Sequence, residues 1–288
     1  MTRLALGTAQ FGLDYGIANK TGQIGEGDAA AILARATERG IALLDTAPAY
    51  GDAEVVLGRL GIADRFDVIT KTPHIGHPEA FRADEVRAAS ERSCERLKIA
   101  RLSGLLIHHP DDIRGLHADA LFDVLLELKS RGCAEKIGIS IYDETDLDAF
   151  GRLDEVDIVQ LPASIIDQRL LRNGTFARLR AAGIEIHVRS LFLQGLVLID
   201  PTRTPDHVAG LRPLLTRLKT ESANNRLSAA LTFARKELMP DVAIVGIDGL
   251  DQLDAICDAW QVDLDLDWST YAGASAQSLD PRLWPKHA

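Results

Sequence analysis

A chain of 288 residues, 46% of them hydrophobic, can bury a sizeable core, and its length fits two average domains or one large barrel. The formal net charge of −10 and the pI near 5.3 disfavour a nucleic-acid partner, whose phosphates require a basic face. No run of eighteen apolar residues predicts a membrane span, and the segment behind Arg3 lacks the apolar stretch of an export signal, so we expect a cytoplasmic protein with no membrane partner.

The three cysteines, Cys94, Cys133 and Cys257, are odd in number and widely spaced. They form none of the close pairs that metal sites and redox motifs use. This pattern fits reduced thiols in the cytoplasm, and we expect no metal site.

Short apolar runs alternate with longer segments of helical period along the whole chain. In chain order, the runs that predict strands are LALGT, IALLDTA, FDVITK, SGLLIH, KIGIS, DIVQLPA, IEIHVRS and VAIVGI. Between the fourth and fifth runs, an apolar stripe at three- and four-residue spacing predicts a helix; the stripe is Leu121, Val124, Leu125 and Leu128. That helix is expected to end at Arg131-Gly132, and Ala182-Gly183 repeats the same stop signal before the seventh strand.

Eight strand-helix units over this length predict an α/β fold, a closed (β/α)8 TIM barrel, because parallel strands need helical crossovers. The alternative is an open doubly wound sheet, but GTAQFG after the first strand lacks the glycine spacing of a dinucleotide fingerprint. No linker or low-complexity segment interrupts the alternation, so residues 1–288 are expected to form one domain. The Pro-rich stretch 200–205 predicts a loop, and residues from about 263 predict a C-terminal tail with few periodic features.

Four residues with acid-base character lie at or just past the ends of consecutive predicted strands: Asp45, Tyr50, Lys71 and His108. In a parallel barrel these strand ends converge on one mouth. A tyrosine ionises near pH ~10, and a nearby ammonium favours the phenolate, so Lys71 is expected to lower the pKa of Tyr50. Asp45 is placed to keep Lys71 charged, and His108 to orient a substrate oxygen.

Each of these residues also has a purely structural interpretation. Asp45 could cap a turn, Tyr50 could be a surface ring, Lys71 could be solvated, and His108 could be an interior histidine. Their joint position at the strand ends favours a catalytic site. A Schiff-base aldolase that uses Lys71 is a further alternative, but Asp45 opposes the neutral amine that such chemistry needs.

The chain resembles the aldo-keto reductase superfamily over nearly its whole length. The most specific match is Asp45-Thr46-Ala47 followed by Tyr50-Gly51, Glu54 and Gly58. The weaker matches are Lys71-Thr72, His108 with Pro110 and Asp111, Gly138-Ile139-Ser140, Val159-Gln160-Leu161 and the segment 226–234.

This resemblance implies a nicotinamide-dependent oxidoreductase that interconverts an aldehyde or ketone and an alcohol. Tyr50 would be the general acid in reduction, Lys71 and Asp45 would tune it, and His108 would orient the carbonyl. The alternative within the same superfamily is a regulatory subunit that binds the cofactor with little turnover, as the potassium-channel beta subunits do. The implied partner is a small-molecule carbonyl or sugar-like substrate, and the sequence predicts no oligomeric state.

The resemblance also implies a set of residues that bind NADP(H) or NAD(H). Ser140 and Gln160 would bond the nicotinamide carboxamide, and Gly7, Thr8 and Gln10 would lie near the nicotinamide. The segment over the pyrophosphate and the residues after the last strand complete the set; they are Arg189, Ser190, Leu191, Gln194, Gly195, Gly246 and Asp248.

Several positions depart from the family pattern. Arg189 stands where many relatives have a stacking tyrosine, and Ile141 stands where asparagine is common. Asp248 and Asp251 follow the last strand where NADP-dependent relatives have basic residues, and carboxylates repel a 2′-phosphate. We keep NADP(H) slightly ahead of NAD(H) as the family default.

Loops around the mouth are expected to set substrate specificity. The residues assigned to the pocket wall or rim are Phe11, Tyr15, His109 and Arg189, with Trp284 either folding back from the tail or packing elsewhere. Compared with the family pattern, we expect the front of the chain to be too short for the hairpin that commonly covers the bottom of these barrels.

Overall fold

The computed structural model describes residues 1–17, 19 and 21–285, and its centre is a closed barrel of eight parallel strands. The strands follow one another in chain order, and the last pairs with the first. They are β1 Arg3–Gly7, β2 Leu43–Asp45, β3 Asp67–Lys71, β4 Leu102–Ile107, β5 Ala134–Ser140, β6 Ile158–Pro162, β7 Glu185–Arg189 and β8 Val242–Val245. The predicted (β/α)8 barrel is confirmed, and each predicted strand is present.

Helices surround the barrel. They are α1 Ala9–Gly12, α2 Glu26–Glu38, α3 Ala53–Arg59, α4 Ala83–Leu97, α5 Pro110–Arg114, α6 Ala118–Ser130, α7 Glu144–Phe150, α8 Arg169–Arg172, α9 Thr175–Ala181, α10 Arg212–Glu221, α11 Arg226–Phe233, α12 Leu250–Ala259 and α13 Ala276–Leu279. Short 3-10 turns lie at Pro78–Ala80, Leu153–Glu155, Pro201–Arg203, Asp206–Leu211, Trp268–Tyr271 and Pro281–Leu283, and a π-helical turn lies at Ala234–Leu238. None of these helices is long and apolar enough to cross a membrane, over the residues that the structure describes.

Helix α6 shows how the apolar pattern determines the packing of the outer layer. All four residues of its predicted stripe are buried; they are Leu121, Val124, Leu125 and Leu128. The helix ends where Gly132 takes a φ of 76°, a left-handed conformation that glycine adopts without steric cost. The stop predicted at Arg131-Gly132 is therefore confirmed.

The barrel interior has its own apolar cluster, separate from the larger core between strands and helices. Its members are Ala5, Leu43, Ile69, Leu106, Ile158, Val242 and Ile244. Their sequence neighbours Leu6 and Val245 belong to the larger core, as the two-residue period of a strand requires. Side chains therefore fill the barrel, and the space for a ligand lies above them at the mouth.

The strand register brings the predicted site residues to one level at the carboxyl ends of the strands. Gly7 pairs with Asp45, and Ser140 pairs with Gln160. Lys71 is the last residue of β3 and pairs with Leu106, two residues before His108. Because the register closes the barrel, residues that are far apart in the sequence lie together on one rim.

The C-terminal tail packs on the barrel, although its sequence has little periodicity. Tyr271 is fully buried and donates a hydrogen bond to Glu221 of α10. The carbonyl oxygen of Trp268 accepts a hydrogen bond from Gln168 Nε2 at 2.7 Å. Trp284, which the sequence left unplaced, is buried beside His207, with 5.6 Å between ring centroids.

At the amino-terminal side of the barrel, the carboxylate of Glu185 in β7 contacts basic side chains of β1, β5 and β7 itself. It accepts hydrogen bonds from Arg3 Nη2 at 3.2 Å, from His187 Nε2 at 3.0 Å and from Lys136. The hydrogen bond from His187, followed by that from Lys136, lowers the pKa of Glu185 to about 2. This ionic cluster ties β1, β5 and β7 together at the bottom of the barrel.

Replacing Glu185 with glutamine is expected to lower the free energy of unfolding at pH 7 by about 1–3 kcal/mol. Because its pKa is depressed from 4.5 to about 2, the stabilising effect of the carboxylate is complete above pH 4.5 and is lost as the pH falls toward 2. In urea unfolding, the difference in free energy of unfolding between wild type and Glu185→Gln should be about half as large at pH 3 as at pH 7. The control is Glu135→Gln, which removes an exposed ion pair with Arg101 at the same end of β5. An equal difference between wild type and Glu185→Gln at both pH values would contradict the assignment.

Candidate active site

A buried ion pair between β2 and β3 is the centre of the predicted site. Lys71 Nζ donates to both carboxylate oxygens of Asp45 at 2.9 Å and to the carbonyl oxygen of Thr46 at 2.8 Å. Asp45 and Lys71 are 4% and 2% exposed, respectively. All three ammonium protons have acceptors, as a buried lysine requires if it is to stay charged.

Tyr50 and His108 lie beside this ion pair. The ammonium of Lys71 is 5.2 Å from the centroid of the Tyr50 ring. The rings of Tyr50 and His108 meet edge to face, with 5.9 Å between their centroids. The structure therefore brings together all four residues that the sequence assigns to catalysis.

The pKa of Tyr50 is raised, which is opposite to the shift that the sequence predicts. Burial is the largest cause, and the carboxylate of Asp45 adds to it, whereas the positive charge of Arg189 acts in the opposite direction. The prediction counted the cation of Lys71 but neither the burial of the phenol nor the effect of the Asp45 charge on Tyr50. Tyr50 is accordingly held as a protonated phenol, which is the form that a proton donor needs.

Burial also shifts the pKa values of His108 and Lys71. It lowers the pKa of His108 to about 3, with further contributions from the charges of Lys71 and Arg189, so the imidazole is neutral at physiological pH. A neutral imidazole keeps one N–H to donate to a carbonyl oxygen. The pKa of Lys71 is lowered by burial, against which the charge and hydrogen bonds of Asp45 act.

Backbone contacts at two glycines set the position of the turn that carries Tyr50. A Cβ at residue 12 would lie 1.8 Å from the carbonyl oxygen of Tyr50, and a Cβ at residue 51 would lie 2.4 Å from that of Gly12. Gly51 also has a φ of 56°. A side chain at either position would push the Tyr50 turn away from α1. The sequence identified Tyr50-Gly51 as part of a motif, but it did not indicate that Gly12 contacts the Tyr50 turn.

A cavity of about 800 Å³ opens above the ion pair at the barrel mouth. Tyr50, His108 and Asp45 line it, and Lys71 lies behind Asp45. All twelve residues assigned to the cofactor also line it; they are Gly7, Thr8, Gln10, Ser140, Gln160, Arg189, Ser190, Leu191, Gln194, Gly195, Gly246 and Asp248. Their individual roles remain predictions.

Gln160 links the cavity to the ion pair. Its Nε2 donates to Asp45 Oδ1 at 2.7 Å, whereas its buried Oε1 has no hydrogen-bond partner among the described residues. A buried carbonyl oxygen without a donor is costly, and the amide of a nicotinamide carboxamide would supply one. The available oxygen therefore fits the predicted cofactor.

The segment after β7 has an unusual backbone. Ser190, Leu193 and Gln194 have φ values of 63°, 46° and 53°, and Gly195 has 85°. Non-glycine residues rarely adopt this region, and such strain clusters at ligand sites. The strained backbone carries the segment over one side of the cavity, where the sequence placed the pyrophosphate.

Arg189 lies at the end of β7 beside an aromatic residue that the sequence did not identify. Its Nη2 donates to the carbonyl oxygen of Ile141 at 3.0 Å, and its guanidinium is 4.2 Å from the centroid of the Tyr142 ring. Arg282 from the tail lies 3.7 Å from the same ring. Tyr142 and Arg189 line the cavity, so the ring and this guanidinium form part of the mouth, whereas Arg282 contacts the ring without being among the described lining residues.

Other cavity residues were also missed, and two rim assignments were wrong. Phe11 is fully buried in the core, and His109 is not among the described residues that line the cavity, whereas Tyr15 lines it. The other lining residues come mainly from the segments after β7 and β8; they are Ala9, Gly16, Ile17, Asn19, Phe192, Leu198, Ile199, Asp200, Arg203, Pro205, Leu227, Ile244, Gln252, Ala255 and Ile256.

Asp248 and Gln252 form the rim near the start of α12. The backbone N–H of Asp248 donates to Gln252 Oε1 at 2.9 Å, and Gln252 Nε2 donates to Asp248 Oδ2 at 3.3 Å. Asp251 lies at the same helix end but is not among the described lining residues. One of the two carboxylates noted in the sequence thus faces the cavity.

Comparisons with known proteins agree with this fold. A model of the Aldo/keto reductase family matches residues 3–270. D-arabinose 1-dehydrogenase of Saccharomyces cerevisiae is 32% identical over 119 residues, which are 38% of this chain and 36% of the relative. This chain matches less than half of the length of the curated relatives.

Two solved structures share the barrel. An aldo-keto reductase of Bacillus halodurans in its holo form superposes with a TM-score of 0.74 at 20% identity, over 96% of this chain and 95% of that one. An aldo/keto reductase of Klebsiella pneumoniae in complex with NADP and acetate has a TM-score of 0.69 at 17% identity, over 96% and 94%. At these identities the likeness shows the fold alone. Because the family model extends from β1 past α12, the chain belongs to the aldo/keto reductase family.

Proposed function

We propose that this protein is an NAD(P)(H)-dependent oxidoreductase that interconverts an aldehyde or ketone and an alcohol in the cytoplasm. The observation that carries the proposal is the buried Lys71–Asp45 pair, with Tyr50 and His108 beside it, at the base of a cavity of about 800 Å³. The structure supplies a protonated phenol and a neutral imidazole on one cavity wall. Those two groups suit a reaction that protonates a carbonyl oxygen.

In the reductive direction, the nicotinamide would supply hydride to the carbonyl carbon. Tyr50 gives its proton to the carbonyl oxygen as negative charge develops there. His108, neutral because of burial, donates a hydrogen bond that orients the same oxygen. Lys71 stabilises the phenolate that remains, and Asp45 holds the ammonium in place.

The residues proposed to hold the cofactor form three groups, each of which would contact a different part of it. Ser140 and Gln160 would bond the carboxamide, for which Gln160 Oε1 is available. The segment 190–195 would cover the pyrophosphate. Asp248 would face the adenosine end, where its carboxylate disfavours a 2′-phosphate.

The substrate class is proposed to be a small polar or sugar-like carbonyl. One curated relative is named for action on D-arabinose, although it matches only 38% of this chain. The mouth contains the hydroxyl groups of Tyr142 and Tyr15 and the guanidinium of Arg189, all of which can donate hydrogen bonds to hydroxyl or carbonyl oxygens.

The two alternative functions are less well supported. An aldolase needs Lys71 as a free amine, but its ammonium is bonded to Asp45 and Thr46. A regulatory subunit without turnover would not require the protonated Tyr50 and neutral His108 to face one cavity. Cofactor binding without reduction of any aldehyde would favour the regulatory alternative.

Replacing Tyr50 with phenylalanine removes the proton donor and leaves the ring in place. We expect kcat for aldehyde reduction to fall by about 10²–10⁴-fold, while the Kd of NADPH or NADH changes less than about threefold. Steady-state absorbance and fluorescence titration measure the two quantities. Tyr15→Phe, which removes a cavity hydroxyl proposed to bind the substrate, should retain most of kcat even where KM rises; if kcat falls equally in both variants, the assignment of Tyr50 is wrong.

The pH dependence of reduction follows from the pKa shifts of Tyr50 and His108. Because the pKa of Tyr50 is raised and that of His108 is lowered to about 3, neither group changes protonation near neutrality. We expect kcat/KM for reduction to be flat from about pH 5 to about pH 9. A step near pH 6.5 that disappears in His108→Asn would show that the imidazole titrates there and would contradict the assignment.

Cofactor preference is expected to respond to the charge of residue 248. Asp248→Arg should lower the Kd of NADPH by about tenfold or more with little effect on NADH, because a carboxylate that repels the 2′-phosphate becomes a guanidinium that binds it. Fluorescence titration with both cofactors measures the change. Asp251→Arg is the matched control at the same helix end, and an equal gain in that variant would indicate a general charge effect.

A further inference from the structure

Two histidines and an aspartate meet on the barrel rim, outside the catalytic quartet. His74 follows β3, whereas His109 and Asp111 lie at the start of α5 after β4. One possible ligand atom from each of the three residues lies within 4.8 Å of the other two. The imidazole rings of His74 and His109 face each other, with 3.8 Å between their centroids and 39° between their planes.

A fully buried carboxylate orients one of these histidines. Asp112 accepts a hydrogen bond from His74 Nδ1 at 3.2 Å and others from the backbone N–H groups of Ile75 and Gly76, each at 3.1 Å. His117 Nε2 adds a further bond at 3.1 Å. An ionised carboxylate only accepts, so Nδ1 of His74 carries the proton and Nε2 carries a lone pair.

This is the arrangement that supports metal-binding histidines. In such sites a carboxylate holds the far nitrogen of the ring, fixes the tautomer and makes the other nitrogen a better ligand. Here Asp112 is that carboxylate, and the loop 74–76 is fastened to it by three hydrogen bonds from its side chain and backbone. Nε2 is therefore the nitrogen of His74 that Asp112 leaves for a ligand.

We propose that His74, His109 and Asp111 bind a divalent transition-metal ion, with Zn²⁺ as the best match. Two imidazole nitrogens and one carboxylate oxygen suit Zn²⁺ and similar ions better than Mg²⁺ or Ca²⁺, which prefer oxygen ligands. Ligand atoms around a tetrahedral zinc ion lie roughly 3.3 Å apart, given bonds of about 2.0–2.1 Å. His109 Nδ1 and Asp111 Oδ2 are 3.5 Å apart, and an ion bound there would replace the hydrogen bond that His109 Nδ1 accepts from the backbone N–H of Asp111 at 3.3 Å.

The ion would join two loops that follow catalytic strands. His74 lies three residues after Lys71, and His109 is the neighbour of His108. The three ligands are outside the described cavity lining, and each is partly exposed, so the ion enters from solvent and leaves open positions for water. Its effect is to fasten the loop after β3 to the start of α5. The sequence gave no sign of this site, because its ligands come from loops after two different strands.

This inference does not depend on the proposed oxidoreductase activity, because metal binding is measured without turnover. The full chain, free of any affinity tag, is stripped with a chelator and titrated with ZnCl₂ by calorimetry and with CoCl₂ by visible absorption. We expect one Zn²⁺ per chain and a Co²⁺ spectrum without the intense near-ultraviolet band of a thiolate ligand. Zn²⁺ should also raise the Tm of the wild type by several degrees.

The variants His74→Gln and Asp111→Asn should each weaken Zn²⁺ binding by at least about tenfold and abolish the Tm increase. His77→Gln, an exposed histidine on the same loop, is the matched control and should bind like the wild type. Unfolding in chelator should give all four proteins similar Tm values, which separates lost binding from lost folding. The proposal is overturned by absence of stoichiometric Zn²⁺ binding, by equal affinity in His74→Gln and His77→Gln, or by a thiolate band that places the ion on cysteine.

Discussion

The hydrogen-bonded pair of Lys71 and Asp45 is the constraint around which the candidate site is organised. A buried ammonium is costly unless its protons are bonded and its charge is matched, and here two carboxylate oxygens and the Thr46 carbonyl meet both needs. The pair depends on the barrel, because the parallel pairing of β2 with β3 sets Asp45 opposite Ile69 and brings Lys71, two residues further on, within reach of the carboxylate. The buried pair forms a charged wall of the cavity, beside which Tyr50 and His108 have defined protonation states.

The sequence was sufficient to predict the barrel and the meeting of four acid-base side chains at its mouth. Strand period, helix stops such as Arg131-Gly132 and the alternation of elements all follow from local physical chemistry, and the mouth follows from strand direction. Asp45, Tyr50, Lys71 and His108 come together because each lies at a strand end, where sequence position determines location. Family membership, shown over residues 3–270, agrees with the predicted barrel.

Features that depend on contacts between distant segments could not be predicted. The approach of Gly12 to the Tyr50 turn, the insertion of Tyr142 beside Arg189 and Arg282, and the facing of His74 and His109 arise only when the loops fold. The pKa of Tyr50 was predicted with the wrong sign, because sequence spacing indicates which charges are near but not how burial weighs against them. The preference for NADP(H) or NAD(H) could not be predicted either, because it depends on how the loop side chains are placed.

The central claim is that Lys71 and Asp45 act on Tyr50 as one unit. A double-mutant cycle on kcat/KM for aldehyde reduction tests it most directly, with Lys71→Met, Asp45→Asn and the double variant compared at matched cofactor saturation. If the pair is one unit, the double variant loses about as much activity as either single variant, because the first substitution already removes the function of both. If the two losses multiply, each residue acts independently and the account is contradicted.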